Sequence, residues 1–187
     1  MGSMTDSEVL DLTSAHHHTG FRIDIRTGVG RGPTELAAFD AALRDANIAN
    51  FNLIVLSSVI PPGTTVDVLD DVTDHTPPGE WGDRLYVVMA ERRTSVPGQD
   101  VSAGIGWVQD EISGQGLFVE HHGREEWRVR QDIQLSLASM VQGRPQRFGP
   151  TRTMVETATC TDGTPTCALV VAVYESQGWT KEPQQAR

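Results

Sequence analysis

The most informative segment of this chain is Asn52-Leu53-Ile54-Val55-Leu56-Ser57-Ser58-Val59-Ile60-Pro61-Pro62. It begins as an apolar run with the residue types of a β-strand, and it then reaches two adjacent serines. The two prolines that follow cannot donate backbone hydrogen bonds and stop regular structure. The segment therefore predicts a strand, Phe51–Leu56, that ends at a serine pair in a tight connection.

A serine pair in this position can rearrange its own backbone. The hydroxyl of Ser58 can attack the carbonyl of Ser57 and convert the peptide bond into an ester. β-Elimination from the ester leaves dehydroalanine, which hydrolyses to a pyruvoyl group, and its ketone can do the carbanion chemistry of a bound cofactor. Two serines at a strand end are also ordinary turn residues that cap backbone groups. The rest of the chain has to distinguish these interpretations.

Working outward from the serines, strands outnumber helices. Upstream, Gly20–Gly28 alternates as a half-buried strand, Gly28–Pro33 is expected to be a turn, and Glu35–Ala46 is a helix with Thr34 as its N-cap. Downstream, residues 63–83 are expected to be irregular. The remaining predicted elements are the strands Arg84–Arg92, Val101–Gln109 and Leu117–His121, the helix Glu125–Gln142, and a closing hairpin of Thr153–Cys160 and Thr166–Tyr174.

This order of elements predicts an α+β sandwich with mainly antiparallel or mixed sheets, because strands and helices do not alternate in repeated units. The expected domain organisation is a flexible leader over residues 1–19, a single domain over 20–175 and a flexible tail over 176–187. Met1–Ser3 are interpreted as an addition before a native start at Met4.

The composition narrows the function classes. With 25 acidic and 15 basic residues the formal net charge is −10, which argues against nucleic acid and anionic membranes as partners. No apolar run is long enough to span a bilayer and no secretion signal is evident, so the expected location is the cytoplasm. His16-His17-His18 is expected to be solvated, and no metal site is predicted.

Two cysteines flank an Asp-Gly turn in the predicted closing hairpin. Cys160 and Cys167 would lie opposite each other across it, so a disulfide is geometrically possible. In a reducing compartment we expect free thiols instead.

Three separated segments resemble the pyruvoyl-dependent arginine decarboxylase family: Phe39-Asp40-Ala41-Ala42-Leu43, the run from Ile48 through the serine pair, and Gly116-Leu117-Phe118-Val119-Glu120-His121-His122-Gly123. The resemblance runs from about Gly20 to about Tyr174. It implies a four-layer αββα sandwich assembled as a homotrimer or dimer of trimers, with active sites between subunits. It also implies self-cleavage between Ser57 and Ser58, and decarboxylation of L-arginine to agmatine through a Schiff base on a pyruvoyl group made from Ser58.

The resemblance assigns catalytic roles to four residues. Ser58 becomes the pyruvoyl group, and Ser57 becomes the new C-terminus, where its hydroxyl can position the scissile carbonyl or the substrate. Asn52 matches the asparagine of the family's processing and active site, and its amide can donate to an oxyanion. Glu120 matches the proton donor, which would supply the one proton that the substrate carbon needs after CO₂ leaves. His121 or His122 could assist proton movement.

Substrate recognition is expected on the first helix. Leu36, Asp40 and Leu43 fall on one face, so an acid lies between two leucines. This arrangement suits a ligand with an aliphatic stem and a cationic tip, and in the family the matching aspartate recognises the guanidinium.

Two positions depart from the family pattern and leave the substrate open. Ala49 stands where the family can have glycine, and Phe51, expected to line the substrate pocket, stands where it can have a smaller aliphatic residue. Extra bulk there could reshape the pocket, so the same chemistry on another amino acid is an alternative. A second alternative is an uncleaved binding or assembly subunit.

Overall fold

The computed structural model describes residues 20–73 and 75–179, which form nine strands and two helices. The predicted leader, its three histidines and residues 180–187 of the predicted tail lie outside the described residues. In chain order the elements are β1 Phe21–Arg31, α1 Glu35–Asp45, β2 Asn52–Val55, β3 Val59–Ile60, β4 Thr64–Val68, β5 Arg84–Thr94, β6 Gln99–Gln109, β7 Gly116–Gly123, α2 Glu126–Met140, β8 Arg152–Cys160 and β9 Thr166–Gln177.

The strands form two sheets. One has five strands in the order β2-β5-β9-β1-β4, with β1–β4 and β2–β5 parallel and the other pairs antiparallel. The other has four antiparallel strands in the order β3-β7-β6-β8. The predicted α+β sandwich with mixed and antiparallel sheets is therefore confirmed. Neither helix in the described part of the chain is long and apolar enough to cross a membrane.

The core follows from the two-residue period of the strands. On β9, Ala168, Val170 and Ala172 belong to a buried cluster shared with strands of the other sheet, including Ile105 and Phe118. The alternate β9 residues pack with α1 instead. Because β9 is covered on both faces, its sequence is nearly continuously apolar rather than alternating.

Helix α1 lies directly on two glycines of β1. A Cβ atom at Gly28 would come within 2.2 Å of the Ala42 carbonyl oxygen, and one at Gly30 within 2.1 Å of the Ala38 oxygen. The predicted turn at Gly28–Pro33 is therefore wrong over its first four residues, since β1 continues to Arg31. The glycines serve close helix packing rather than a turn. The predicted N-cap of α1 is confirmed, because the Thr34 side chain accepts the N–H of Ala37.

Helix α2 covers the four-stranded sheet with Val129, Ile133 and Leu137, which are all fully or almost fully buried. Met140 was expected on the same apolar side, but it is 39% exposed because the helix ends there.

The predicted closing hairpin is wrong. β8 pairs with β6, whereas β9 pairs with β1 and β5 in the other sheet. The Asp162-Gly163 turn thus carries the chain between sheets. Cys160 and Cys167 at the ends of this connection are both buried and free, as expected for thiols rather than a disulfide.

Two segments are more regular than expected. Residues Thr64–Val68, within the segment expected to be irregular, form β4, which pairs in parallel with β1. At the other end β9 continues to Gln177, and Trp179 donates its indole N–H to the Gly82 carbonyl. The ordered chain therefore passes the expected boundary at residue 175.

Candidate active site

Ser57 and Ser58 lie where the chain crosses from one sheet to the other. β2 is an edge strand of the five-stranded sheet and β3 is an edge strand of the four-stranded sheet. Leu56 still donates its N–H to the Val87 carbonyl of β5 at 2.8 Å, whereas Val59 already pairs with β7. The serine pair therefore spans the gap between the two edges.

Ser58 adopts a left-handed backbone conformation with φ 65°. Among the described non-glycine residues, Asn47 alone shares a positive φ, and asparagine tolerates this region better than serine. The carbonyl of Ser58 accepts the backbone N–H of Phe118 at 2.9 Å. Left-handed backbone at such a residue costs on the order of 1 kcal/mol, so the surrounding contacts must impose it.

Glu120 reaches Ser58 from β7. Phe118 and Glu120 are two residues apart on one strand, so both side chains face the space between the sheets. The hydroxyl of Ser58 donates a hydrogen bond to Oε1 of Glu120, whose side chain is half-buried. The structure thus brings together two of the expected catalytic residues.

Tyr174 on β9 belongs to the same site, although it was not predicted from the sequence. Its phenol donates a hydrogen bond to the Val59 carbonyl at 2.9 Å, and its ring packs edge-on against Phe118 with centroids 6.2 Å apart. Burial raises the pKa of Tyr174, and the nearby charge of Glu120 raises it further. The one available signal was the position of Tyr174 on the intersheet face of β9, two residues beyond Ala172.

Ser57 and Asn52 are placed differently from Ser58. Ser57 is exposed. Asn52 starts β2, and its amide Nδ2 donates to the Gly82 carbonyl at 2.5 Å. Three strand steps of about 3.3 Å put about 10 Å of β2 between Asn52 and Val55. Within the described part of one chain, no hydrogen bond joins the Asn52 side chain to either serine.

The three residues expected to share one face of α1 have different environments. Leu43 is buried in the core beneath the helix, but Leu36 is 70% exposed. Asp40 is also exposed, and its carboxylate pairs with the Arg44 guanidinium at 2.8 Å. Leu43 belongs, with Ala38 and Ala42, to the face of α1 that packs on the sheet. Within one chain, Leu36 and Asp40 are therefore open to solvent, whereas Leu43 packs beneath the helix.

The two positions that depart from the family pattern both pack against the core beneath α1. Ala49 and Phe51 are half-buried there. A Cβ atom at Gly79 would lie 2.9 Å from the Phe51 ring, so the loop carrying Gly79 closes over that ring. One face of Phe51 is thus already used for packing within the chain.

The two histidines after Glu120 point to opposite faces, as expected for neighbours on a strand. His121 faces α2, where its Nε2 lies 2.8 Å from the Ser136 hydroxyl. His122 is exposed and lies on the same face of β7 as Glu120. His121 is therefore directed away from the Ser58 site.

Comparison with known proteins identifies the family. The family model of pyruvoyl-dependent arginine decarboxylase matches residues 22–178. The chain is similar to the pyruvoyl-dependent arginine decarboxylase of Halobacterium salinarum, with 48% identity over 99 residues that cover 53% of this chain and 59% of that protein. It is also similar to pyruvoyl-dependent arginine decarboxylase 2 of Archaeoglobus fulgidus, with 37% identity over 102 residues that cover 54% of this chain and 62% of that protein.

These matches confirm the resemblance seen in the three sequence segments, although the chain spans only about three-fifths of the length of these curated relatives. Membership implies a pyruvoyl cofactor derived from a serine. The chain belongs to the pyruvoyl-dependent arginine decarboxylase family.

Proposed function

We propose that this chain is a self-processing, pyruvoyl-dependent decarboxylase that converts L-arginine into agmatine and CO₂. The observation that carries the proposal is Ser58, which combines a left-handed backbone with a hydroxyl hydrogen-bonded to Glu120. A plain turn serine needs neither feature. The family membership supports the same assignment.

Self-cleavage uses groups that already touch one another. The Ser58 hydroxyl oxygen bonds to the carbonyl carbon of Ser57 while its proton passes to Glu120. The C–N bond then breaks as the Ser58 nitrogen takes up a proton, which leaves an ester. Loss of the Ser58 Cα proton and cleavage of its Cβ–O bond release Ser57 as a carboxylate. The dehydroalanine that remains tautomerises and reacts with water, releasing ammonia.

The surroundings of residue 58 fit a pyruvoyl group. When formed, this group supplies a carbonyl that holds the substrate amine and accepts the electrons released with CO₂. The Phe118 N–H already donates to the carbonyl of residue 58, and a hydrogen bond there favours negative charge on that oxygen. Glu120 would hold the proton for the carbon that loses CO₂.

Arginine recognition is assigned to Asp40, with Leu36, Leu43 and Phe51 expected along the aliphatic stem. The exposed carboxylate of Asp40 and its existing pair with a guanidinium, that of Arg44, support this role. Asn52 and Ser57 would assist processing and substrate positioning.

A different amino-acid substrate remains the alternative, because Phe51 adds bulk. The Ser58 geometry disfavours the uncleaved binding subunit.

We further propose a four-layer αββα sandwich assembled as a homotrimer or a dimer of trimers. Its support is the packing of α1 on one sheet and α2 on the other, with a shared core between the sheets. Ile54, Val55 and Val59 are 39%, 62% and 59% exposed along the edge that carries the serines. A neighbouring copy there would bury them and bring its own Asp40 toward Ser58.

The two free, buried thiols support the cytoplasm as the compartment.

Denaturing intact mass and a substrate panel test this function. We expect two fragments split after Ser57, the second lighter than its serine-started sequence by one ammonia, and CO₂ release from L-arginine. Preferred turnover of another amino acid would support the alternative substrate. A single uncut chain after long incubation would support the non-catalytic subunit.

Subunit complementation tests the shared site. An Asp40→Ala protomer and a Glu120→Gln protomer are each expected to be inactive alone. If the two residues serve one site from different subunits, random mixing restores about one quarter of the sites. No recovery on mixing would place both residues in one subunit's site.

A further inference from the structure

Two consecutive carbonyl groups after the scissile bond are held from opposite sheets. The Ser58 carbonyl accepts the Phe118 N–H at 2.9 Å, which comes from β7 in the four-stranded sheet. The Val59 carbonyl accepts the Tyr174 phenol at 2.9 Å, which comes from β9 in the five-stranded sheet. The peptide planes that follow the Ser58 Cα are thus fixed at both oxygens.

The Tyr174 ring is itself fixed by aromatic neighbours. It packs against Phe118 at 6.2 Å and against Phe21 at 6.1 Å between ring centroids, and Phe118 is fully buried. A side chain held in this way donates its hydrogen bond with little loss of rotamer freedom. The phenol also remains protonated, because burial and the Glu120 charge both raise its pKa.

The segment before the scissile bond has a different environment. Ser57 is exposed, whereas Ser58 and Ile60 are held between β7 and Tyr174. Self-cleavage requires the Ser58 hydroxyl to stay directed while its backbone keeps φ 65°. A hydrogen bond to the next carbonyl along the chain is one way to prevent that backbone from relaxing.

We propose that Tyr174 is a positioning residue for self-cleavage: its hydrogen bond to the Val59 carbonyl keeps Ser58 in the left-handed conformation that holds its hydroxyl at Glu120. Tyr174 acts through the backbone and exchanges no proton in the reaction. This role rests on the proposed self-processing function and adds a residue outside the three segments that carry the family resemblance.

The test is the rate of cleavage after Ser57 in Tyr174→Phe, followed by intact mass from the freshly made, uncut chain. This variant keeps the ring and its aromatic contacts but removes the donor. Loss of one well-oriented hydrogen bond predicts cleavage about 10-fold slower than in the wild type. A rate within two-fold of the wild type would overturn the proposal.

Tyr86→Phe is the matched control. Tyr86 is the other tyrosine of the chain, lies in the same sheet and donates its phenol to Gln177 at 2.8 Å, so its variant loses a hydrogen bond that does not involve the segment after the scissile bond. We expect Tyr86→Phe to cleave at the wild-type rate. Equal slowing in both variants would mean that general destabilisation is responsible, which overturns the assignment to Tyr174.

A rescue separates positioning from packing. Replacement of Tyr174 by 4-aminophenylalanine restores an N–H donor at the same ring position and should recover most of the cleavage rate. A folded protein that still cleaves as slowly as Tyr174→Phe would show that the hydrogen bond is not responsible. If the wild type itself does not cleave, the proposed function fails, whereas equal cleavage in wild type and Tyr174→Phe removes only the role of Tyr174.

Discussion

The hydroxyl of Ser58 donates a hydrogen bond to Glu120 across 62 positions of sequence. The contact forms because β3 pairs with β7 and carries Ser58 alongside the strand that bears Glu120. One residue of slip of β3 along β7 would turn Ser58 to the other face, away from Glu120, whose own orientation is set by the pairing of β7 with β6. The short strand β3 is therefore what connects the serine pair to its acid.

The left-handed backbone of residue 58 predicts an unusual stability order. Ser58→Gly should be more stable to urea than Ser58→Ala by about 1 kcal/mol, because glycine adopts positive φ without strain. Neither variant has the hydroxyl, so both remain uncut and can be compared directly.

Residue 57 provides the control for that comparison. Its φ is not positive, so glycine there should destabilise the Ser58→Ala background by about 0.5–1 kcal/mol relative to alanine. Opposite signs at the two neighbouring positions are the expected result. The same sign at both would contradict a local backbone effect at Ser58.

Glu120→Gln is expected to slow cleavage by about 100-fold, since the amide keeps the shape but cannot take the Ser58 proton. Time-resolved intact mass measures the effect. Glu126→Gln, which disturbs only an exposed ion pair with Arg130 on α2, should cleave normally. Normal cleavage in Glu120→Gln would remove Glu120 from the processing step.

Arg44 is expected to compete with the substrate for Asp40. Its guanidinium already pairs with that carboxylate at 2.8 Å, and both side chains are largely exposed. Arg44→Gln should therefore lower the KM for arginine by about two- to three-fold with kcat unchanged, a size typical of an exposed pair.

The control for Arg44 is another exposed arginine in an equivalent pair. Arg130→Gln breaks the matching pair on α2 and should leave KM unaltered. A higher KM in Arg44→Gln would indicate that Arg44 orients Asp40 for the substrate instead of blocking it.

The Asp110 carboxylate should make the free energy of unfolding depend on pH in the acid range. Hydrogen bonds from the Ser113 N–H and hydroxyl, with those of Arg147 and Ile112, lower its pKa from 3.8 to about 2. A carboxyl whose pKa is lower in the folded state than in the unfolded state stabilises the fold at pH values above its unfolded-state pKa. That contribution is lost as pH falls from about 4 toward 2.

Urea unfolding of the wild type and Asp110→Asn across this range measures the effect. The variant should be the less stable protein at pH 7, and the difference should shrink as pH falls below 4. Ser113→Ala removes one donor and should show a smaller difference of the same sign. A constant difference at every pH would mean that Asp110 contributes through packing alone.

Local sequence predicted the parts of the fold that depend on neighbouring residues. Helix α1 begins at its expected residue, Glu35, because Thr34 caps it, and the strand before the serines ends at Val55, one residue short of the expected Leu56. The closing hairpin was wrong because an Asp-Gly turn permits pairing of its flanking strands but does not require it. Strand β4 was missed because its pairing partner, β1, is far away in sequence.

The candidate site likewise contains residues that the local sequence identified and residues that it did not. Ser58 and Glu120 were identifiable by motif, but Tyr174 carries no local signal beyond an apolar strand. The burial of Leu43 was not predictable either, because helical periodicity groups residues by angle and cannot tell which edge of a face meets the sheet.

By itself, the amino-acid sequence determined the chemistry that is available to this protein: a serine pair after an apolar strand, an acid after another, and the family to which they belong. Only the tertiary structure decided that Ser58 is left-handed, that its hydroxyl meets Glu120 and that Tyr174 holds the next carbonyl. The physical reason is that these features depend on the register between strands and on the packing of two sheets. Those are properties of contacts between distant residues and not of any local pattern.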